Sequence, residues 1–157
     1  MEIIKKMKRI RGFTLIELLL TIAIIGILAT VSITALNPVR QLAKARDTQR
    51  KTDVYSIASA IYQFASEHSG DLPDTDGDPL TNNFPTSATC IGTGGGCYNL
   101  SAAGDTEPVV PTYMATMPKD PMNGTDSNTL YTVYVDANNR IVVSATPETE
   151  GTISVSK

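Results

Sequence analysis

The sequence predicts an α+β protein in which a long N-terminal helical stem, transmembrane in its first half, packs against a small C-terminal antiparallel sheet. Three observations support this fold class. Residues 13–36 form an apolar run that contains a single charge. Residues 54–65 repeat apolar side chains at helical spacing, and residues 130–145 hold two β-rich segments joined by a short polar turn.

The apolar run at residues 13–36 is long enough to span a bilayer. Its 24 residues would form a helix of about 36 Å, whereas the hydrocarbon core is about 30 Å thick. Its one charged side chain is Glu17, and no basic residue lies within the run. A carboxylate inside an apolar span needs a partner because its desolvation is costly. Cleavage between Gly12 and Phe13 would supply one, since the new α-amino group of Phe13 would lie on the same helical face as Glu17.

The residues around this junction resemble the processing site of type IV pilins and type II secretion pseudopilins. The resemblance covers the first third of the chain, and it rests on Gly12 followed by Phe13, Thr14, Leu15, Ile16, Glu17, Leu18 and Leu19. It implies that a prepilin peptidase cuts between Gly12 and Phe13 and N-methylates Phe13. It also implies that Glu17 pairs with the Phe13 amine of a neighbouring subunit as the chain self-assembles into a helical filament.

The function that the resemblance implies is structural: a pilin-like subunit of a type IV pilus filament, without enzymatic activity or a cofactor. Its expected partners are the prepilin peptidase, an inner-membrane assembly platform and, before assembly, membrane lipid. Two alternatives remain open. One is a pseudopilin of a type II secretion or DNA-uptake machine. The other belongs to a different class, a monomeric membrane-anchored extracellular binding module, and it is favoured if Phe13 is never exposed by cleavage.

The charges are unevenly distributed along the chain. Residues 1–12 contain five bases and one acid, which gives a net charge of +4. Since the whole chain has a net charge of −3, residues 13–157 together carry −7. Basic residues just before an apolar span stay in the cytoplasm, which predicts an extracytoplasmic head and a surface filament or pseudopilus after assembly. From Val54 onward, 12 acids face three bases, and this acidic balance argues against nucleic-acid binding.

Helix signals divide the chain into four predicted segments: a leader at 1–12, a membrane and assembly helix at 13–36, an amphipathic stem helix at 37–69 and a head at 70–157. Asn37 and Pro38 predict either a kink or the restart of a second helix. Gly70 predicts the end of the stem. The apolar stripe that the sheet should cover consists of Val54, Ile57, Ala58, Ile61 and Ala65.

The stem is basic just beyond the apolar run. Its bases are Arg40, Lys44, Arg46, Arg50 and Lys51. Such a run usually forms a solvated face or a collar near lipid phosphates. In a filament, it would alternatively meet the acidic heads of neighbouring copies.

Two cysteines, Cys90 and Cys97, flank a glycine-rich loop. An even cysteine count outside the cytoplasm predicts a disulfide. The rival interpretation is a metal site, but structural zinc needs four ligands and His68 is the single histidine. A lone histidine and the lack of a phosphate-binding loop in a strand-to-helix context also argue against catalysis.

Two acidic loops are candidates for calcium binding. Their carboxylates are Asp74, Asp76, Asp78, Asp120 and Asp126. The first loop departs from the EF-hand pattern, which needs Gly at position six and Glu at position twelve, where Pro79 and Pro85 stand. The second resembles in outline the entry to the C-terminal sheet of major pseudopilins. A solvated acidic turn is the favoured account of the first loop.

The C-terminal sheet is predicted from alternating and β-branched segments. Residues 130–135 and 140–145 form a hairpin around the turn at 136–139, and residues 151–156 add an edge strand. Residues 98–100 are a further strand candidate. A small antiparallel sheet has one apolar face, and the stem stripe is the surface for it to cover.

Overall fold

The computed structural model describes residues 12–78, 81–104, 107–149 and 151–157. Apart from Gly12, the predicted leader therefore lies outside the described residues. The chain divides into two units, Met1–Gln41 and Leu42–Lys157. The boundaries predicted for leader, membrane helix, stem and head stay predictions.

The first helix, α1, spans Leu15–Leu36. Its segment Leu15–Ile33 is long and apolar enough to cross a membrane, judged by length and composition. All side chains of that segment are exposed. The helix stops at Asn37, whose φ of 40° lies in the left-handed region that asparagine tolerates better than most residues.

Of the two interpretations of Asn37 and Pro38, a restart is correct. Helix α2 begins at Pro38 and ends at Glu67. Asn37 caps it, because the backbone N–H of Arg40 donates to both the carbonyl and the side-chain oxygen of Asn37. At the other end, Gly70 has a φ of 99° and its N–H donates to the carbonyl of Ala65 at 2.8 Å. This is the cap predicted for Gly70.

Four antiparallel strands form one sheet in the order β1-β2-β3-β4. Strand β1 is Thr89–Cys90, β2 is Tyr131–Val135, β3 is Ile141–Ala145 and β4 is Ile153–Ser156, while a short helix, α3, spans Val109–Thr112. In the central hairpin Val133 pairs with Val143. The predicted hairpin and edge strand are confirmed.

The predicted strand at residues 98–100 is wrong. Tyr98 forms only an isolated bridge with Ile91, and the strand that pairs with β2 is Thr89–Cys90. Tyr98 is buried, and its hydroxyl donates to the carbonyl of Pro73. These contacts direct the segment away from the sheet edge and into the core, which its short alternating pattern did not reveal.

The sheet covers the apolar stripe of α2, as predicted. Val54, Ile57 and Ile61 have no exposed surface, and they form one core with Tyr131 and Val143. Burying such side chains contributes roughly 1.5–3 kcal/mol each. The fold class is therefore α+β, with a long apolar helix, a second helix and a small antiparallel sheet.

The loop between the cysteines lies against a second loop near residue 127. The N–H of Gly94 donates to the carbonyl of Ser127, and the N–H of Thr93 donates to the carbonyl of Asp126. A Cβ atom at Gly92 would come within 2.3 Å of the Ser127 carbonyl oxygen. Glycine is therefore required at position 92 by close backbone approach.

Replacing Gly92 with alanine is expected to destabilise the unit Leu42–Lys157 by about 1–3 kcal/mol, because one of the two loops must move. Gly95→Ala is the matched control in the same loop, since a Cβ atom there meets nothing within 4 Å. Urea unfolding of the detergent-solubilised chain, followed by circular dichroism, measures both. Equal stability of the two variants would refute the proposed contact.

Candidate functional site

The predicted cleavage junction lies in exposed chain outside any helix or strand, just before α1. Phe13 is 76% exposed. Gly12 is exposed as well, and a Cβ atom built on it meets no atom within 4 Å. A protease needs an accessible peptide, and the junction between Gly12 and Phe13 is exposed.

Thr14 is the N-cap of α1. Its backbone is extended, with φ −83° and ψ 152°, and its side-chain oxygen accepts a hydrogen bond from the N–H of Glu17 at 3.2 Å. This role of Thr14 was not predicted from the sequence. Its signal was present, because threonine followed three residues later by glutamate is the pattern of a capping box.

Glu17 lies in the first turn of α1, where the helix dipole favours a negative charge. Its side chain is exposed. The position therefore suits a carboxylate for a local reason, and the exposed side chain is available to a partner. Cleavage at Gly12, methylation of Phe13 and pairing by Glu17 stay predictions.

A second candidate site is a charged cluster, centred on Arg50, in the unit Leu42–Lys157. The side chain of Arg50 is only 3% exposed. Its guanidinium binds Asp47 at 2.8 Å, Asp120 at 2.6 Å and Glu148 at 2.7 Å. Asp47 also accepts hydrogen bonds from the backbone of Glu148 and Thr149. The cluster therefore joins α2 to the loop before β2 and to the loop between β3 and β4.

Ionisation of the cluster follows from these contacts. Burial raises the pKa of Asp47, but hydrogen bonds from Thr149, from the backbone of Glu148 and from Arg50 outweigh it and hold that pKa below its ordinary value of 3.8. The hydrogen bond from Arg50 lowers the pKa of Asp120, and the same bond raises the pKa of Arg50. Asp47, Asp120 and Arg50 are thus all charged at neutral pH.

Two further contacts extend this polar network. Arg46 binds Glu148 at the partly exposed edge of the cluster, and its hydrogen bond lowers the pKa of Glu148. Farther along α2, the Tyr131 hydroxyl donates to Asp53 at 2.7 Å. Burial and then this bond to Asp53 raise the pKa of Tyr131. The network is structural, because it ties α2 to the sheet and its loops.

Two of the five stem bases that were considered for a collar are therefore paired within their own unit. Arg46 and Arg50 pair with acids of the same unit, whereas the side chains of Arg40, Lys44 and Lys51 are exposed. Arg50 also extends the apolar stripe backwards, since residues 47, 50, 54, 57 and 61 follow the alternating three- and four-residue spacing of one helical face. That spacing was the signal for its burial.

The predicted disulfide between Cys90 and Cys97 is confirmed, with an S–S distance of 2.06 Å. The bond closes the glycine-rich loop beside β1. The metal alternative for these two cysteines is therefore excluded.

The calcium candidates lie in two separate loops, where they have other partners. Asp120 is bound by Arg50, and Asp126 pairs with Lys119 at 2.9 Å. Asp74 and Asp76 accept hydrogen bonds from backbone N–H groups of their own turn. Within the described ranges, no group of three or more His, Cys, Asp or Glu side chains is placed to hold a metal ion. Calcium binding, including any contribution of Asp78, stays a prediction.

His68 lies at the end of α2. Its ring stacks on Phe64 at 4.0 Å, and its Nδ1 lies 2.9 Å from the Phe64 carbonyl oxygen. Its Nε2 is 3.8 Å from Glu107. These contacts hold the ring against the helix end, and they are those of a helix-terminal side chain.

A family model and a curated protein each match a part of this chain. The family model described as the prokaryotic N-terminal methylation motif matches residues 7–33. Among curated proteins, the chain is similar to the type IV major pilin protein PilA of Myxococcus xanthus (strain DK1622), with 42% identity over 59 residues. That match covers 38% of this chain and 26% of the relative. No solved structure matches the chain. The resemblance stated from residues 12–19 is therefore confirmed at the N-terminal segment.

Proposed function

We propose that this chain, which carries the prokaryotic N-terminal methylation motif over residues 7–33, is a structural pilin-like subunit that assembles into a type IV pilus filament. The motif is the observation that carries the proposal. It coincides with a junction that is exposed in the structure and with an apolar helix that begins two residues after Phe13. The relative matched by the chain is named a major pilin, which favours a pilus over a secretion pseudopilus.

Before assembly, α1 anchors the chain in a membrane. Its segment Leu15–Ile33 has the required length and apolar surface. The basic residues at 1–12 keep the leader in the cytoplasm, where a prepilin peptidase cuts after Gly12 and methylates Phe13. The unit Leu42–Lys157 then faces the outside, where its disulfide is stable.

Assembly transfers α1 from lipid to the interior of a filament, with the help of an inner-membrane assembly platform. The exposed apolar side chains of α1 exchange lipid contacts for contacts with other copies of the helix. Glu17 of one subunit pairs with the Phe13 amine of its neighbour. Because an unpaired charge in an apolar interior is strongly unfavourable, this pairing selects one stagger between adjacent helices.

The test is the N-terminus of the chain recovered from its native membrane or from sheared surface material. Intact mass and N-terminal sequencing should show a chain that begins at Phe13 and carries one methyl group. The same chain expressed in a host without a prepilin peptidase should begin at Met1. A native terminus at Met1 would refute the proposed function and favour an anchored binding domain. A terminus near Ala35, as left by removal of a secretory signal peptide, would refute it as well and favour a secreted binding domain.

A further inference from the structure

Ion pairs within the unit Leu42–Lys157 leave two sets of charges unmatched. Asp126 pairs with Lys119, Asp136 pairs with Arg140, and the Arg50 cluster satisfies its own acids. Among the described residues, these exposed side chains form no ion pair: the cations Lys44 and Lys51, and the acids Glu67, Asp71 and Asp76. We call the two lysines the basic end and the three acids the acidic end.

The basic end lies in the first half of this part of α2, whereas the acidic end begins at Glu67, the last residue of the helix. Lys44 and Glu67 both belong to that helix, and they are 23 residues apart, which corresponds to about 35 Å at 1.5 Å per residue. The distance from Lys51 to Glu67 is about 24 Å by the same rise. Charges this far apart are screened at physiological salt, where the Debye length is about 8 Å. The lysines therefore do not pair with Glu67 within one copy of the chain.

We propose that the basic end of one copy binds the acidic end of a second copy, so that neighbouring subunits are joined head to tail. This inference rests on the proposed function, and it names a contact outside α1. The two surfaces are complementary in charge, and they differ from each other. A contact between two different surfaces of the same chain is heterologous, and it builds an open helical array when the rotation does not close a ring.

The two lysines also lie on one side of α2. They are seven residues apart, which places them two turns from each other on the same helical face. Asp71 and Asp76 follow the helix end in the loop that leads to β1, and both are exposed. A pair of cations about 10 Å apart along the helix therefore faces a short acidic segment of the next copy. Electrostatic complementarity of this kind determines orientation and suppresses wrong pairings.

The experiment uses the full chain in cells that process and assemble it, and charge reversals test the contact. The basic-end variant is Lys44→Glu with Lys51→Glu, and the acidic-end variant is Asp71→Lys with Asp76→Lys. Each should reduce filaments in the sheared fraction about tenfold or more, because like charges would then meet. A chain carrying all four changes should recover filaments, and so should the two variants when they are expressed together.

Matched controls keep the charge at each end. Lys44→Arg with Lys51→Arg, and Asp71→Glu with Asp76→Glu, should assemble like the unsubstituted chain. Resistance to protease and an intact Cys90–Cys97 bond show that each variant is folded. The combined and co-expressed variants make the test independent of any small loss of stability, since a folding defect would not be reversed by a second charge change.

Three outcomes would overturn the inference. Filaments that persist with either reversal would exclude the contact, and so would a failure of the combined variant to recover. If the basic-end variant instead loses membrane association while the acidic-end variant assembles normally, the lysines contact lipid phosphate. The N-terminal mass is measured on the same samples: an unprocessed terminus refutes the proposed function itself, whereas a methylated Phe13 with unaffected filaments refutes only this contact.

Discussion

Replacing Glu17 with glutamine is expected to reduce filament recovery by about a hundredfold or more, while cleavage between Gly12 and Phe13 continues. Glutamine keeps the shape of the side chain but removes the charge, so the Phe13 ammonium group of the neighbouring subunit would be buried without a counter-charge. Breaking one side of a buried ion pair is strongly unfavourable, and each tenfold change corresponds to 1.4 kcal/mol. Immunoblotting of the sheared fraction and electron microscopy measure filaments, and mass spectrometry measures the terminus.

The structure supplies a matched control for this experiment, because Glu17 also participates in the first turn of α1. Thr14→Ala removes the hydrogen bond to the Glu17 N–H, and loss of an N-cap costs helix stability by about 1 kcal/mol. It leaves the carboxylate in place, so we expect filaments close to normal levels. If Thr14→Ala lowers filament recovery as much as Glu17→Gln does, the segment acts by stabilising the first turn of α1 and not through the charge of Glu17. Normal filaments with Glu17→Gln would exclude the charge pair.

Replacing Arg50 with methionine is expected to lower the free energy of unfolding of the unit Leu42–Lys157 by about 3–5 kcal/mol. Methionine fills similar space, but Asp47 and Asp120, whose side chains are 7% and 8% exposed, would lose their shared cation. Both carboxylates would keep their hydrogen bonds from the backbone, but two buried negative charges without a cation oppose folding more than the lost contact alone. Urea unfolding of the detergent-solubilised chain, followed by circular dichroism, measures the difference.

Arg46→Met is the control for Arg50→Met. Both arginines lie on α2 and bind Glu148, but the side chain of Arg46 is 30% exposed. Water solvates a partly exposed pair and weakens its contribution. The Arg46 variant should therefore unfold close to the unsubstituted chain. Similar losses in both variants would show that burial does not determine the strength of this cluster.

The pH dependence of unfolding provides a second comparison of the unsubstituted chain with Arg50→Met. The folded-state pKa values of Asp47 and Asp120 lie below their ordinary value of 3.8. Their contribution to stability is therefore fully present above that value, and it is lost as the pH falls through the lower folded-state values. In Arg50→Met, protonation of Asp47 and Asp120 removes two buried negative charges that have no cation, so it stabilises the folded state of that variant. The difference in the free energy of unfolding between the unsubstituted chain and Arg50→Met should therefore become smaller below about pH 4. A difference that stays constant would contradict the cluster as described.

Local patterns predicted much of this fold. The spacing of Val54, Ile57 and Ile61 located the buried face of α2, and β-branched alternation located the hairpin from Tyr131 to Ala145. The disulfide was predicted from the even number of cysteines and from the expected extracytoplasmic location of the head. Each of these signals depends on neighbours in sequence or on composition, so it is readable without a structure. The misplaced strand at 98–100 shows the limit, because the path of Tyr98 depends on the distant carbonyl of Pro73.

The sequence alone is enough to identify the N-terminal methylation motif at residues 7–33, the apolar helix α1 and the acidic balance of the rest of the chain. These properties are set by short-range order: a motif, a run of apolar residues and a sum of charges. Which charged side chains are buried and paired within the unit depends on the tertiary fold. Arg50 and Lys51 are adjacent in sequence, yet one is buried against Asp120, 70 residues away, and the other is exposed. Pairing between residues so far apart in sequence depends on how the sheet positions its loops. Lys44 and Lys51 are exposed, and they are therefore available for contacts with another copy.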